Sequence, residues 1–458
     1  MRRLVRVLDE RTGAAPIARK ALRYVFPDNW SFLLGEVALY SFVVLVLTGV
    51  YLTFFFEPST QRVVYEGSVE TLRGTEMSQA YRSVVDISFD VKAGLLIRQT
   101  HHWAADVFVA SIVLHLMRVF FTGAFRKPRE LTYLIGLGML SLVLLEGYLG
   151  YSMVDDLLSG MGLAIGYGVV LSVPLIGPAL ALALWGGPFP GDPTFMSRMY
   201  VTHVLLLPVA IGGLLALHLL LVTSRHHTQF RRPGAGERRV VGLPAVPSQA
   251  PRSLGLMFAV AGVLLLLGGL VQINPIWLWG PYDVANSTNG AQPDWYLGWL
   301  IGALRLVPGF DVTIGGATIV PNPFWGGVAF PALVFGVLAV WPWLERWATG
   351  DRSAHNVLDR PRDAPVRTAF GCGLLTFVLV PFLAGSADRV DVFLGLDYRW
   401  QLGVYRVAVV VAPVLVALVA HRLLVGLQRA EAIEAARRRA LAEGRASRSG
   451  VDPRAGTG

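Results

Sequence analysis

Four of the nine histidines form spaced pairs inside long apolar stretches: His101 and His115 in one, His203 and His218 in another. An imidazole placed in hydrocarbon is expensive unless it is used, and neutral imidazole is a common metal ligand. The intervals are fourteen and fifteen residues. On a helix, at about 100° per residue, these fall about 40° short of four turns and about 60° past four turns, so each pair lies near one face. At about 1.5 Å of rise per residue, the members of a pair stand about 21 Å apart and cannot hold the same ion. Two such helices side by side form two bis-histidine sites at different depths, His101 with His203 and His115 with His218. Each suits the iron of a low-spin b-type haem. Four packing histidines are the alternative, and that reading leaves the shared register unexplained. Glycines repeat the interval: Gly35 and Gly49, then Gly136 and Gly150, are each fourteen apart. A porphyrin needs helix surface free of side chains, which glycine supplies. Arg98 precedes His101 by three residues and Arg118 follows His115 by three. Two readings stand for these arginines, pairing with haem propionates or anchoring the helix at the membrane interface.

The elements that must carry these residues are membrane helices. Of 458 residues, 54% are hydrophobic and 16% charged, and mean hydropathy is +0.53. Soluble domains carry about 25% charged residues, so a water-soluble fold is excluded. The single cysteine, Cys372, rules out an internal disulfide, a CxxC site and the CxxCH motif of covalently attached haem. Apolar runs of bilayer length predict eight spans, at 33–56, 98–121, 131–150, 201–223, 253–273, 325–344, 367–385 and 401–421. A ninth candidate, 162–185, contains Pro174 and Pro178. Charge decides against it. With eight spans, one side holds 30 Lys and Arg against 13 acids and the other 10 against 15, with Glu36, Asp106 and Glu146 inside spans. A ninth span would leave 24 basic residues outside and 16 inside, against the positive-inside bias. Residues 162–185 are therefore expected as a proline-broken helical pair on the outer surface, with both termini cytoplasmic. Arg2 and Arg3 begin no signal peptide, since no apolar core follows them before residue 33. The net charge of +9 is thus sorted by membrane side and speaks for lipid, not nucleic acid.

The fold class expected is an all-α integral membrane protein with a four-helix dihaem bundle and outer-surface helices. Its parts are a cytoplasmic segment 1–32, the bundle 33–223 with surface helices at about 151–200, and a cytoplasmic linker 224–252. A C-terminal four-helix membrane domain 253–425 carries the outer loop 274–324, and a cytoplasmic tail, solvated helix or disorder, covers 426–458. The second and fourth helices run the same way, so His101 and His203 share the outer level and His115 and His218 the inner one.

Residues 98–136, RQTHHWAADVFVASIVLHLMRVFFTGAFRKPRELTYLIG, together with the glycine quartet and PDWY at 293–296, resemble cytochrome b of the quinol:cytochrome c reductases. The resemblance runs over roughly 30–425. GYSMVDDLLSGMGL at 150–163, HTQF at 227–230, INPIWLWGPYD at 273–283 and HNVLDRPRD at 355–363 look like the actinobacterial type. Two departures stand out. The broader family has Glu where this chain has Asp294, and no cysteine on the first helix implies the extra covalent haem of chloroplast-type complexes.

The resemblance implies quinol oxidation at the outer face, with menaquinol as substrate. One electron goes to an iron-sulfur protein, and the other passes from the outer, low-potential haem to the inner, high-potential one and on to quinone near the cytoplasmic face, so that protons are translocated. It implies two non-covalent b-type haems, a Rieske iron-sulfur subunit, a c-type cytochrome subunit, a homodimer in the cell membrane, and compatibility with a terminal-oxidase supercomplex. The quinol site would comprise Pro293, Asp294, Trp295 and Tyr296. Burial would raise the Asp294 pKa and make it the proton acceptor, Tyr296 would orient the ring and Trp295 would pack; PDWY also reads as a plain helix start. Tyr151, Asp155 and Asp156 either line this pocket or form a solvated loop. His226 and His227 are inner quinone-site candidates or interface anchors. Asp106 is either protonated, partnered or lining water, Glu146 and His355 have no settled role, and His102 receives none. A dihaem membrane anchor of another oxidoreductase is the competing redox reading; a secondary transporter would show inverted repeats, and none is found. Reduced-minus-oxidised spectra of the purified protein are expected to show two b-type haems per chain, and a single haem would remove the four-ligand assignment.

Overall fold

The computed structural model describes Arg11, Leu22, residues 24–286 and residues 293–449, with side chains as far as residue 443. Most of the expected segment 1–32 and the end of the tail lie outside the described residues. Eight helices are long and apolar enough to cross a membrane: Trp30–Thr53, Gly94–Phe121, Glu130–Ser152, Phe195–Ser224, Ala245–Leu270, Trp325–Thr349, Pro365–Gly385 and Tyr398–Glu443. All eight expected spans are present. Their ends differ because apolarity marks the hydrocarbon, whereas hydrogen bonding carries a helix on into polar sequence. The fourth starts six residues early, at Phe195, and the eighth runs on as one helix, Tyr398–Ser449. The fifth stops at Leu270, where Val271 turns extended (φ −117°, ψ 104°). Residues 162–185 form no span: helices Leu157–Leu171 and Gly177–Trp185 are separated by a break at Ser172–Ile176.

The first span packs along the second, the third along the fourth, and the fifth covers the first and second. The seventh lies against the eighth and against the short helix Gly298–Leu306. That helix follows PDWY directly. A side chain at Gly302 would overlap the Pro381 carbonyl of the seventh span, so a residue without Cβ is what lets the two backbones meet.

One irregularity sets the histidine register. Residues Thr202–Leu206 of the fourth span form a π-helical turn that contains His203. A π-bulge takes up one extra residue. The fifteen-residue interval to His218 therefore behaves like the fourteen-residue interval of the second span.

The two membrane faces are built differently. On the face that carries Asp294, three long loops fold on one another. Tyr65, Met77, Tyr81 and Ile276 form a closed cluster, Tyr81 donates to the Ile276 carbonyl at 3.1 Å, and Leu157 N–H donates to Gly280 O at 2.9 Å. On the basic face, charge ties the shorter loops. Arg129 donates to the carbonyls of Arg225, His226 and His355 and to Asn356 Oδ1, at 2.8–3.0 Å. Arg367, with a side chain only 4% exposed, grips Glu345 and Asp359. Beyond the bilayer the eighth helix is held by Arg362, which pairs with Glu431 at 2.6 Å and accepts from Gln428 through its carbonyl at 2.8 Å.

Breaking a buried pair by removing one partner costs about 3–5 kcal/mol. Arg367→Met, which takes the ion-pair partner from Glu345 and leaves Asp359 to Arg126, is expected to lower the thermal transition of the detergent-solubilised protein by several degrees, whereas Arg438→Met on the exposed Glu434 pair leaves it unchanged. Fluorescence-detected size exclusion after heating reads both.

Candidate functional site

The structure brings His101 and His203 together and sets His115 and His218 on one cavity. The rings of His101 and His203 have centroids 6.4 Å apart at 75°. Two metal–nitrogen bonds of about 2 Å on opposite sides of one ion, with each ring centre set back behind its nitrogen, give a separation of that size. The rear nitrogens are anchored. His101 Nδ1 donates to Thr48 Oγ1 at 2.9 Å, while the Thr48 hydroxyl donates to Val44 O at 2.7 Å. His203 Nδ1 lies 3.0 Å from Glu146 Oε1 and 3.1 Å from Glu146 O. Both imidazoles thus leave Nε2 as the nitrogen available to a metal. His115 and His218 line a cavity of about 750 Å³ together with Gly35, Gly136 and Arg118. Among the described residues no group of three or more His, Cys, Asp or Glu could hold a bare metal ion. Paired imidazoles instead fit an iron whose remaining ligands come from a porphyrin.

The glycine quartet does something more specific than leave flat surface. A Cβ at Gly49 would stand 3.2 Å from His101 Cε1, at Gly35 3.4 Å from His115 Cε1, at Gly136 3.5 Å from His218 Cε1 and at Gly150 2.6 Å from His203 Cε1. Each glycine backs one imidazole and sets how deeply the ring seats. Of the two arginines, Arg118 faces the cavity with its guanidinium 4.6 Å from the Phe32 ring centre and Nε unpartnered. Arg98 is already engaged, donating to Asn274 O at 3.3 Å.

The second cluster forms around Asp294. Its Oδ1 accepts from His102 Nε2 at 2.6 Å and its Oδ2 from Tyr296 OH at 2.9 Å. Trp299 Nε1 donates to Tyr296 O at 2.9 Å, and the Tyr296 phenol lies where Gly147 has no side chain. His102, expected to point elsewhere, is therefore the partner of Asp294. The signal was present, since His102 and Asp106 are four residues apart on one helix face. Asp106 lies within electrostatic reach of Asp294 and His102, and its Oδ1 is buried without a partner. Trp295 is 42% exposed, so it does not pack in the interior as expected. Asp294 stands at the N-cap of a short 3-10 turn, yet its carboxylate makes no capping bond. Burial alone pushes the Asp294 carboxyl up, but the adjoining His102 outweighs it, with help from Tyr296, and holds it below the usual aspartate value. That reverses the expected direction.

The neighbouring loop residues separate. Tyr151 is buried and lies within electrostatic reach of Asp294. Asp156 does not face solvent: it is fully buried as the N-cap of helix Leu157–Leu171, in a capping box with Ser159. Asp155 is pushed up to about 6 by burial, against a hydrogen bond from Ser78 and the charge of Arg62.

At the basic end of the same cavity, His227 Nδ1 lies 2.9 Å from Tyr24 OH, and burial with nearby Arg118 and Arg129 brings its pKa down to about 4. His226 is exposed and stacks on Tyr24 at 5.9 Å. His355 stays in its loop, bonded to Asp351 at 2.8 Å. A polar group missed in the sequence completes this end: Glu36 accepts from Ser253 Oγ at 2.5 Å and Gln249 Nε2 at 3.1 Å, with Tyr40 2.5 Å from Ser253. Glu36 was visible as an acid inside a span, but its partners come from the fifth helix.

Comparison with known proteins places the chain among cytochrome b subunits. The family described as cytochrome b(N-terminal)/b6/petB matches residues 106–281. The cytochrome bc1 complex cytochrome b subunit of Streptomyces coelicolor is 47% identical over 421 residues, covering 92% of this chain and 77% of the relative. That of Mycobacterium leprae is 47% identical over 425 residues, covering 93% and 77%, and that of Corynebacterium efficiens 44% over 424, covering 93% and 78%. A solved structure titled hyperthermophilic respiratory Complex III shares the fold, with a TM-score of 0.67 at 19% identity over 91% of this chain and 99% of that one.

The glycine distances make a graded test. Gly150→Ala is expected to lower haem content from two toward one per chain, and Gly136→Ala to keep both. Alanine favours a helix over glycine by about 0.5–1 kcal/mol, so a loss at position 150 reports the imidazole contact. Pyridine haemochrome assay against protein mass checks it.

Proposed function

The chain belongs to the cytochrome b subunits of cytochrome bc1 complexes, and from that membership we propose that it oxidises quinol, with menaquinol as substrate, beside Asp294 and reduces quinone at the opposite end of the dihaem bundle. The membrane is the cell membrane. The basic face is cytoplasmic and the looped, acidic face is outside, as the sorting of charge requires. His101 with His203, and His115 with His218, would hold two non-covalent b-type haems, and Arg118 would be the cation for a propionate of the inner one. The haems, when bound, supply two one-electron couples at different depths.

The observation that carries the reading is the contact of His102 and Tyr296 with the two oxygens of Asp294. A carboxylate held ionised in a water-poor pocket is ready to take a proton from a quinol hydroxyl that replaces the Tyr296 phenol at Oδ2. Its depressed pKa also means that it passes the proton on instead of keeping it. Tyr296 and Tyr151 fix the ring's position, and Pro293 with the helix Gly298–Leu306 fixes theirs. At the inner end, Glu36, Tyr40 and Ser253 face the cavity that holds His115, His218 and His227, a polar rim suited to a quinone carbonyl and to proton delivery. His227, neutral above about pH 4, acts there as a hydrogen-bonding group, not as a charge.

The partners are a Rieske iron-sulfur subunit and a c-type cytochrome subunit, in a homodimeric complex that forms a quinol:cytochrome c reductase and translocates protons. A dihaem anchor without bifurcation has no use for the Asp294 cluster.

Asp294→Asn is expected to slow quinol oxidation at least tenfold while both haems stay bound; unchanged turnover in the purified complex removes Asp294 as acceptor. With the wild-type carboxyl held below the ordinary aspartate value of about 3.9, turnover shows no acid limb from Asp294 above about pH 4. In His102→Gln, burial acts without its counterweight, so an acid limb moves up toward neutral pH.

A further inference from the structure

The four proposed haem ligands are not equivalent behind the ring. His203 Nδ1 faces a carboxylate, Glu146 Oε1 at 3.0 Å, and the backbone oxygen of the same residue at 3.1 Å. His101 Nδ1 faces a neutral hydroxyl, Thr48 Oγ1 at 2.9 Å. Neither His115 Nδ1 nor His218 Nδ1 has a partner within hydrogen-bonding distance; His218 is turned toward the Thr132 backbone. Among the described residues, the ion-pair contact of the Glu146 carboxylate is His203, and its other oxygen, Oε2, is buried without a partner. So an acid that no arginine or lysine neutralises is aimed at one ligand of the outer pair, and nothing comparable stands behind the inner pair.

We propose that Glu146 is the residue that sets the outer haem below the inner one in reduction potential, acting through His203. The inference rests on the dihaem reading given above. A hydrogen bond from Nδ1–H to a strong acceptor makes the imidazole a better electron donor through Nε2. A more basic axial ligand favours the oxidised iron of the one-electron Fe(III)/Fe(II) couple, and hydrogen bonding around the ligand is a recognised lever on that couple. The asymmetry therefore makes the outer iron the harder to reduce and favours electron flow from the outer level to the inner one, the direction that quinol oxidation at Asp294 needs. Glu146 touches neither substrate nor porphyrin in this argument. It is a positioning residue, and Gly150 on the same helix sets the ring against which it acts.

The test is an equilibrium titration of the purified complex with dithionite and redox mediators, following the b-haem α-bands. Wild-type protein is expected to resolve two components. Glu146→Gln keeps a side chain of the same size with a weaker, neutral acceptor. It is expected to raise the reduced-to-oxidised ratio of the lower-potential component about tenfold at its native midpoint, a shift of ~59 mV for a one-electron couple, while the other component stays put. Thr48→Val, acting on the other outer ligand, must move the same component by a smaller amount. If Glu146→Gln does not retain the outer haem, Glu146→Asp is titrated instead and is expected to shift the same component in the same direction. Two components that neither Glu146 variant moves, or a shift confined to the component insensitive to Thr48→Val, overturns the proposal and leaves the dihaem reading intact. A wild-type chain without two b-type components overturns both.

Discussion

Hydrocarbon solvates no polar group, and the structure is organised around that fact. Every backbone bond across the bilayer is closed inside a helix, and each polar side chain left in a span has to find a partner or a use. His101 and His203 are tied at the rear by Thr48 and Glu146, and Glu36 by Ser253 and Gln249. Those groups mark out the working parts of the molecule, because polarity within the bilayer is retained where it serves chemistry.

The same constraint explains why the imidazoles need such close control. Two rings can face one iron only if both helices present them at the same depth and angle. A π-turn at Thr202–Leu206 corrects the odd interval on the fourth helix, and four glycines on the first and third helices decide how far each ring can retreat. The ligand helices aim the rings, and the helices behind them act as the stop.

Charge is used differently at the two faces. The looped face builds a small apolar core of its own around Tyr65, Met77, Tyr81 and Ile276, while Tyr296 and Leu297, which follow Asp294, are buried with Phe108 and Val143 of the helices. The basic face is held by guanidinium groups, Arg129 on backbone carbonyls and Arg367 on two carboxylates. A rigid pocket suits proton removal from a bound substrate. Ionic ties at the other face hold the loops while the cavity of His115, His218 and Glu36 stays open between them.

The eight spans, the helical pair within 157–185 that does not cross, and the spacing of the four histidines were legible in the sequence, because hydropathy, charge bias and helical periodicity are local or one-dimensional properties. PDWY, too, could be located as a motif. What the chain alone did not reveal was who touches whom across helices. His102 has no significance until the loop at 293–296, nearly two hundred residues later, brings Asp294 to 2.6 Å from it. That contact reverses the effect of burial on the carboxyl. Asp156 reads as a site residue beside Asp155, yet the fold spends it on a helix N-cap. Glu146 sits four residues before Gly150 with nothing in its neighbourhood to name its partner, and only the packing of the third helix on the fourth aims it at His203. Periodicity determines which face a residue occupies, but the electrostatic environment is a sum over neighbours in space, and those are set by tertiary packing.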